Sequence, residues 1–187
     1  MKKAILLHGW EGRWSNHWFP WLQEQLETRE FEVYSPDLPN TKIPNLQEQI
    51  DSVSDFVQTM WKWDIIIWHS LGGTLAMNLI DKYSLSWIKA ILVWPTYQGY
   101  NEDNDKKYSE EWFQILWKYT SNQLDIQEVG NQYIICLSKN DKSIDLEKAE
   151  EYYCMFEDVE FLEFPNSGHF TKADSVIKIP EILEYLD

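Results

Sequence analysis

Asp64-Ile65-Ile66-Ile67-Trp68 sets three β-branched residues in a row with no polar residue among them. A strand with one face in water alternates apolar and polar side chains, whereas a strand without a polar face must be covered on both sides. That requirement calls for a parallel sheet with helices on each face.

The rest of the sequence carries the parts for such a sheet. Lys3 to Leu7, Phe31 to Ser35, Asp64 to Trp68, Trp87 to Trp94, Tyr133 to Ser138 and Val159 to Phe164 read as strands. Helical patterns lie between them. Asn16 is placed to cap a helix from His17 to Thr28, with Trp18, Trp21, Leu22 and Leu26 along one face. Pro36, Pro39 and Pro44 hold the next connection extended. Asn45-Leu46-Gln47-Glu48 resembles a capping box and opens a helix to Met60. Leu71 to Lys82 and Leu146 to Phe156 are helical, and Pro180 suits the first turn of a closing helix to Leu186. This alternation implies an α/β fold with a mostly parallel sheet of about six strands, as one domain over residues 1–187. Residues 96–130 break the rhythm with a charged run, Asn101 to Lys107, and then an aromatic stretch, Trp112 to Tyr119. They read as a lid or insertion within the domain.

Charge and composition narrow the function classes. A net charge of −15 opposes both the phosphate backbone of nucleic acids and anionic membranes. No nucleic-acid or membrane partner is therefore expected, and a protein partner is left open. The apolar stretch Ala4 to Leu7 is too short for a signal peptide, so a cytoplasmic location is expected. Cys136 and Cys154 fit a reducing compartment and have no metal-ligand spacing. Phosphate-loop and dinucleotide glycine patterns are missing as well, so neither a metal nor a cofactor is expected.

In a parallel sheet the working residues sit on loops leaving the carboxyl ends of the strands. Ile67-Trp68-His69-Ser70-Leu71-Gly72-Gly73 runs from strand through a tight turn into helix. That is the setting of a nucleophile elbow, G-x-S-x-G, which lifts a serine hydroxyl clear of the sheet. Trp68 stands where the motif has its first glycine, and so large a side chain needs room from its neighbours. A serine here can also merely cap a helix.

A hydroxyl is a weak nucleophile without a base, and the base needs an orienting acid. Asp141 follows the fifth strand and His169 the sixth, which gives the chain order Ser, Asp, His of α/β-hydrolases. His169 would take the Ser70 proton while Asp141 fixes the imidazole. Asp141 as a turn former, and Asp145 as a rival acid better placed to cap a helix, are the alternatives. An oxyanion hole needs two amides: Leu71, and either Trp10 or Gly9 from the loop His8-Gly9-Trp10-Glu11-Gly12. Trp10, Trp112 and His69 are the expected substrate contacts, although strand alternation turns His69 away from the face of its neighbour. Phe113, Trp117 and Tyr119 either line the cleft beside Trp112 or pack their segment onto the body. His17 reads as a helix start.

Several of these segments resemble the small serine hydrolases of the retinoblastoma-binding protein 9 and YdeN group. They are His8-Gly9, Ser15-Asn16-His17-Trp18-Phe19-Pro20-Trp21-Leu22, His69-Ser70-Leu71-Gly72, Ser138-Lys139-Asn140-Asp141 and Gly168-His169-Phe170. The resemblance covers nearly the whole chain. It implies a three-layer α/β/α sandwich with the α/β-hydrolase fold, and a triad falling on Ser70, Asp141 and His169. The activity it implies is that of a serine hydrolase, with carboxylesterase or peptidase-like cleavage in some members. The ordered triad candidates and the aromatic richness lead to the expectation of a carboxylesterase or amidase that hydrolyses a small-molecule ester or amide through an acyl-enzyme. Trp68, where relatives carry a small residue, together with the acidic composition and 11 tryptophans, motivates the competing expectation of a catalytically weakened relative that binds a protein or ligand.

Overall fold

The isoleucine run lies in the middle of the sheet. The computed structural model describes residues 1–95, 118–120, 130–142, 146–154 and 156–186. Six strands, β1 (Lys3–Leu7), β2 (Glu32–Tyr34), β3 (Ile65–His69), β4 (Lys89–Val93), β5 (Gln132–Ser138) and β6 (Val159–Phe164), join in the order β2-β1-β3-β4-β5-β6. Every pairing is parallel. All five residues of β3 are buried, as a strand covered on both faces requires.

Among the described residues, helices α1 (Phe19–Thr28), α2 (Leu46–Val57), α3 (Gly72–Lys82) and α4 (Leu146–Tyr153) lie between strands. The step from β1 to β2 runs one way along the sheet, and the step from β3 to β4 runs the other. Right-handed crossovers therefore place α1 on one face and α2 and α3 on the opposite face, which gives three layers. The strand order reverses at β1 and β3, so a crevice opens at their carboxyl ends. Leu7 lies beside Trp68, which brings the loops that follow β1 and β3 together at that crevice.

Local chemistry explains most helix starts. Asn45 caps α2, its Oδ1 accepting from the Glu48 amide at 3.2 Å. The expected reciprocal half of that box is replaced, because the Glu48 carboxylate accepts from the Asn40 side chain. Asn16 does not cap α1. His17 has a φ of 54°, which breaks the helical path, and the cap position falls on Trp18 with no side-chain cap bond. Pro20 fits the first turn of α1, where its missing N–H costs nothing. The closing element is a 3-10 helix, Pro180–Tyr185, rather than an α-helix. Of the expected lid, only Lys118, Tyr119, Thr120 and Gly130 are described; Tyr119 is buried. No helix among the described residues is long and apolar enough to cross a membrane.

Helix α3 approaches β1 closely. A methyl group on Gly72 would stand 2.5 Å from the Leu7 carbonyl oxygen and 2.8 Å from that of His8. Backbone cannot yield as a flexible side chain can. Gly72→Ala is therefore expected to lower stability by about 2 kcal/mol or more, read as a shifted midpoint in urea unfolding. An unchanged midpoint would mean that the two backbones separate at no cost.

Candidate active site

Ser70 follows directly on β3, with a φ of 51°. This left-handed conformation costs a non-glycine residue about 1–2 kcal/mol, so the surroundings must hold it. The Ser70 amide donates to the Val93 carbonyl at 3.1 Å, and the Ser70 carbonyl accepts from the Gly73 amide at 2.9 Å. On the other side, a methyl on Gly9 would lie 3.0 Å from Ser70 Cβ. The crowding expected from Trp68 is relieved at Gly73. The indole of Trp68 is fully buried, and a methyl on Gly73 would stand 2.6 Å from its Nε1. Room for the large residue before the serine thus comes from the absence of a side chain after it.

The structure brings Ser70, His169 and Asp141 together. His169 Nδ1 lies 2.7 Å from Asp141 Oδ2, and His169 Nε2 lies 2.9 Å from Ser70 Oγ. The Asp141 side chain is completely buried, while that of His169 keeps 26 % of its surface exposed. A carboxylate only accepts hydrogen bonds, so the proton sits on His169 Nδ1 and Nε2 is left bare. Nε2 then accepts from the Ser70 hydroxyl, which is the orientation a general base needs. Asp145, the rival acid, lies outside the described residues.

Sequence reasoning did not find the groups that hold the two loops in place. Asn140 Oδ1 accepts from the Gly168 amide and from the Ser138 hydroxyl, each at 2.8 Å. Ser138 Oγ in turn accepts from the Ser167 amide at 2.9 Å. Asp174 Oδ2 accepts from the His169 amide at 3.1 Å. Gly168 has a φ of 50°, and a methyl there would come within 2.3 Å of Asp174 Oδ1. The signal available in the sequence was adjacency: Asn140 precedes Asp141, and Gly168 precedes His169.

All four histidines of the chain gather at this edge, and each tautomer follows from its partner. His8 Nε2 accepts from the Leu38 amide at 2.9 Å, so His8 Nδ1 carries the proton and donates to the Gly9 carbonyl. His17 Nδ1 accepts from the Lys172 amide at 2.9 Å. His69, expected as a substrate contact, is turned toward the loop that bears His169. It is buried at 4 % exposure, and its Nε2 lies 2.8 Å from the His169 carbonyl oxygen. Burial lowers the pKa values of His8, His17 and His69, with the nearby His169 a further cause at His17 and His69.

The expected oxyanion-hole groups lie close to one another. Gly9, Trp10 and Leu71 line a cavity of about 10 Å³ together with His8, Gly72 and Tyr119. The Trp10 side chain is 40 % exposed, and its indole N–H donates to the Lys42 carbonyl at 3.2 Å. Tyr119 packs on Leu71 and Leu46, and its hydroxyl donates to Gln49 Oε1. Trp112, Phe113 and Trp117 lie outside the described residues. Among the described residues, no group of three or more His, Cys, Asp or Glu side chains could hold a metal.

An α/β sheet of this order, with a serine at the elbow after β3, has the architecture of an α/β-hydrolase. Residues 4–187 match the serine hydrolase family, and the chain belongs to that family. It is 22 % identical over 189 residues to YdeN of Bacillus subtilis (strain 168), covering 99 % of this chain and 94 % of YdeN. The crystal structure of the B. subtilis ydeN gene product superposes with a TM-score of 0.78 at 20 % identity, covering 100 % of this chain and 97 % of the other. Est1E of Butyrivibrio proteoclasticus, solved with ferulic acid bound, gives a TM-score of 0.71 at 14 % identity, covering 98 % and 89 %.

The histidine network sets a pH dependence. His8 and His17 accept backbone amides and must stay neutral to do so, and burial lowers their pKa values. Below about pH 6.5 the unfolded chain binds protons that the folded chain refuses, so stability falls as the pH drops. His17→Asn keeps an acceptor for the Lys172 amide and removes one titrating group. Its melting temperature should therefore decline less steeply with acid than that of the wild type. Parallel declines would show that His17 does not titrate in this way.

Proposed function

We propose that the protein cleaves a small ester or amide, as a carboxylesterase- or amidase-like hydrolase, through an acyl-enzyme on Ser70. The observation that carries this reading is the unbroken hydrogen-bond chain from Asp141 through His169 to Ser70, at 2.7 and 2.9 Å. As Ser70 Oγ attacks the substrate carbonyl carbon, its proton passes to His169 Nε2, and Asp141 stabilises the resulting imidazolium. The carbonyl oxygen takes up negative charge. It would be met by the Leu71 amide and by the amide of Gly9 or Trp10 across the small cavity. Collapse of this intermediate breaks the bond to the leaving group, which takes the proton from His169. Water then attacks the acyl carbon, losing a proton to His169; the bond from that carbon to Ser70 Oγ breaks, Oγ takes the proton back from His169, and the acid leaves. Serine hydrolase membership supports the chemistry. The weakened, binding-only alternative drew on Trp68 and on the acidic, tryptophan-rich composition; against the first of these, Gly73 supplies the space for that ring.

A fluorophosphonate probe should label the wild type and leave Ser70→Ala blank. With a short-chain p-nitrophenyl ester, His169→Ala and Asp141→Asn should each lower kcat by roughly 10³-fold or more. A wild type that stays unlabelled and turns over no ester would refute the proposal.

A further inference from the structure

We propose that His69 is a positioning residue whose Nε2–H, held 2.8 Å from the His169 carbonyl oxygen, ties the serine's elbow to the loop bearing the base. The inference rests on the triad reading above and adds a residue to it. His69 ends β3 and directly precedes Ser70, so one peptide unit links the nucleophile to the group that grips the base residue's main chain. A carbonyl oxygen only accepts, and this fixes the proton on His69 Nε2.

His169 is consequently held at three points. Asp174 takes its amide at 3.1 Å, His69 takes its carbonyl, and Asp141 takes its Nδ1. With both ends of the residue and one ring nitrogen fixed, Nε2 has one direction left to face, and Ser70 Oγ lies there. The ring of His69 is itself confined. The centroids of His169, His17 and Trp18 lie 5.1, 5.5 and 6.0 Å from its own. The titratable groups bearing on it are His169, His17 and His8, and together with burial they favour its neutral form. A neutral His69 donates to the carbonyl without placing a second positive charge beside the imidazolium formed during turnover.

The role predicts a pattern that simple loss of packing would not give. His69→Phe keeps a ring of similar size and removes the donor; His69→Gln puts an amide N–H near the place of Nε2. His69→Phe should lower kcat on a p-nitrophenyl ester, and the rate of fluorophosphonate labelling, by roughly 10- to 100-fold with KM unchanged. His69→Gln should restore most of that loss. Equal labelling rates in wild type and folded His69→Phe would overturn the positioning role and leave the hydrolase reading standing. An unlabelled wild type would remove both. Should His69→Phe not fold, nitrogen NMR of the wild type decides: His69 must show a protonated Nε2 and a bare Nδ1 at neutral pH. The opposite tautomer overturns the inference.

Discussion

Both faces of β3 are closed to water, and the architecture follows from that constraint. A strand without a solvent face needs helices above and below it, and helical crossovers between neighbouring strands make the pairing parallel. Parallel strands all deliver their carboxyl ends to one edge. The loops after β1, β3, β5 and β6 therefore arrive together, although they lie far apart in the chain. Reversal of strand order between β1 and β3 leaves a gap at that edge, and Ser70 stands in it beside Gly9.

At this edge the polypeptide turns sharply and leaves backbone amides without ladder partners, so other groups must serve them. Short side chains do so. Asn140 and Ser138 serve the amides of Gly168 and Ser167, Asp174 serves that of His169, and His17 serves that of Lys172. The same bonds that satisfy these amides hold His169 in place, so local stability and the geometry of the Ser70–His169–Asp141 chain are coupled here. None of these bonds falls on the imidazole edge that faces Ser70.

The sheet was legible because it rests on composition along short runs. β1 and β6 match the expected bounds, and the other strands differ by one to three residues at their ends. Ser70, Asp141 and His169 were legible because each follows a strand, and the topology leads every such position to one edge. Partnerships over long separations were not. Alternation turned His69 away from the face of Ser70, but no local rule could name a carbonyl 100 residues onward as its partner. The left-handed turn at His17 was hidden for a similar reason. A run such as Ser15-Asn16-His17-Trp18 looks like a cap followed by a helix, and its contact with Lys172 lies in another part of the sequence. Which amide of the Gly9–Trp10 loop turns inward is likewise a matter of backbone rotation, which residue types leave open.

Trp68 and Gly73 occupy one volume between them. A descendant of this chain cannot gain a side chain at 73 while the indole remains. Shrinking the indole first would leave a void in a close-packed interior. Each single change thus crosses a stability valley that the paired change avoids. The two sites form one packing unit, in which a change of volume at either is felt at the other.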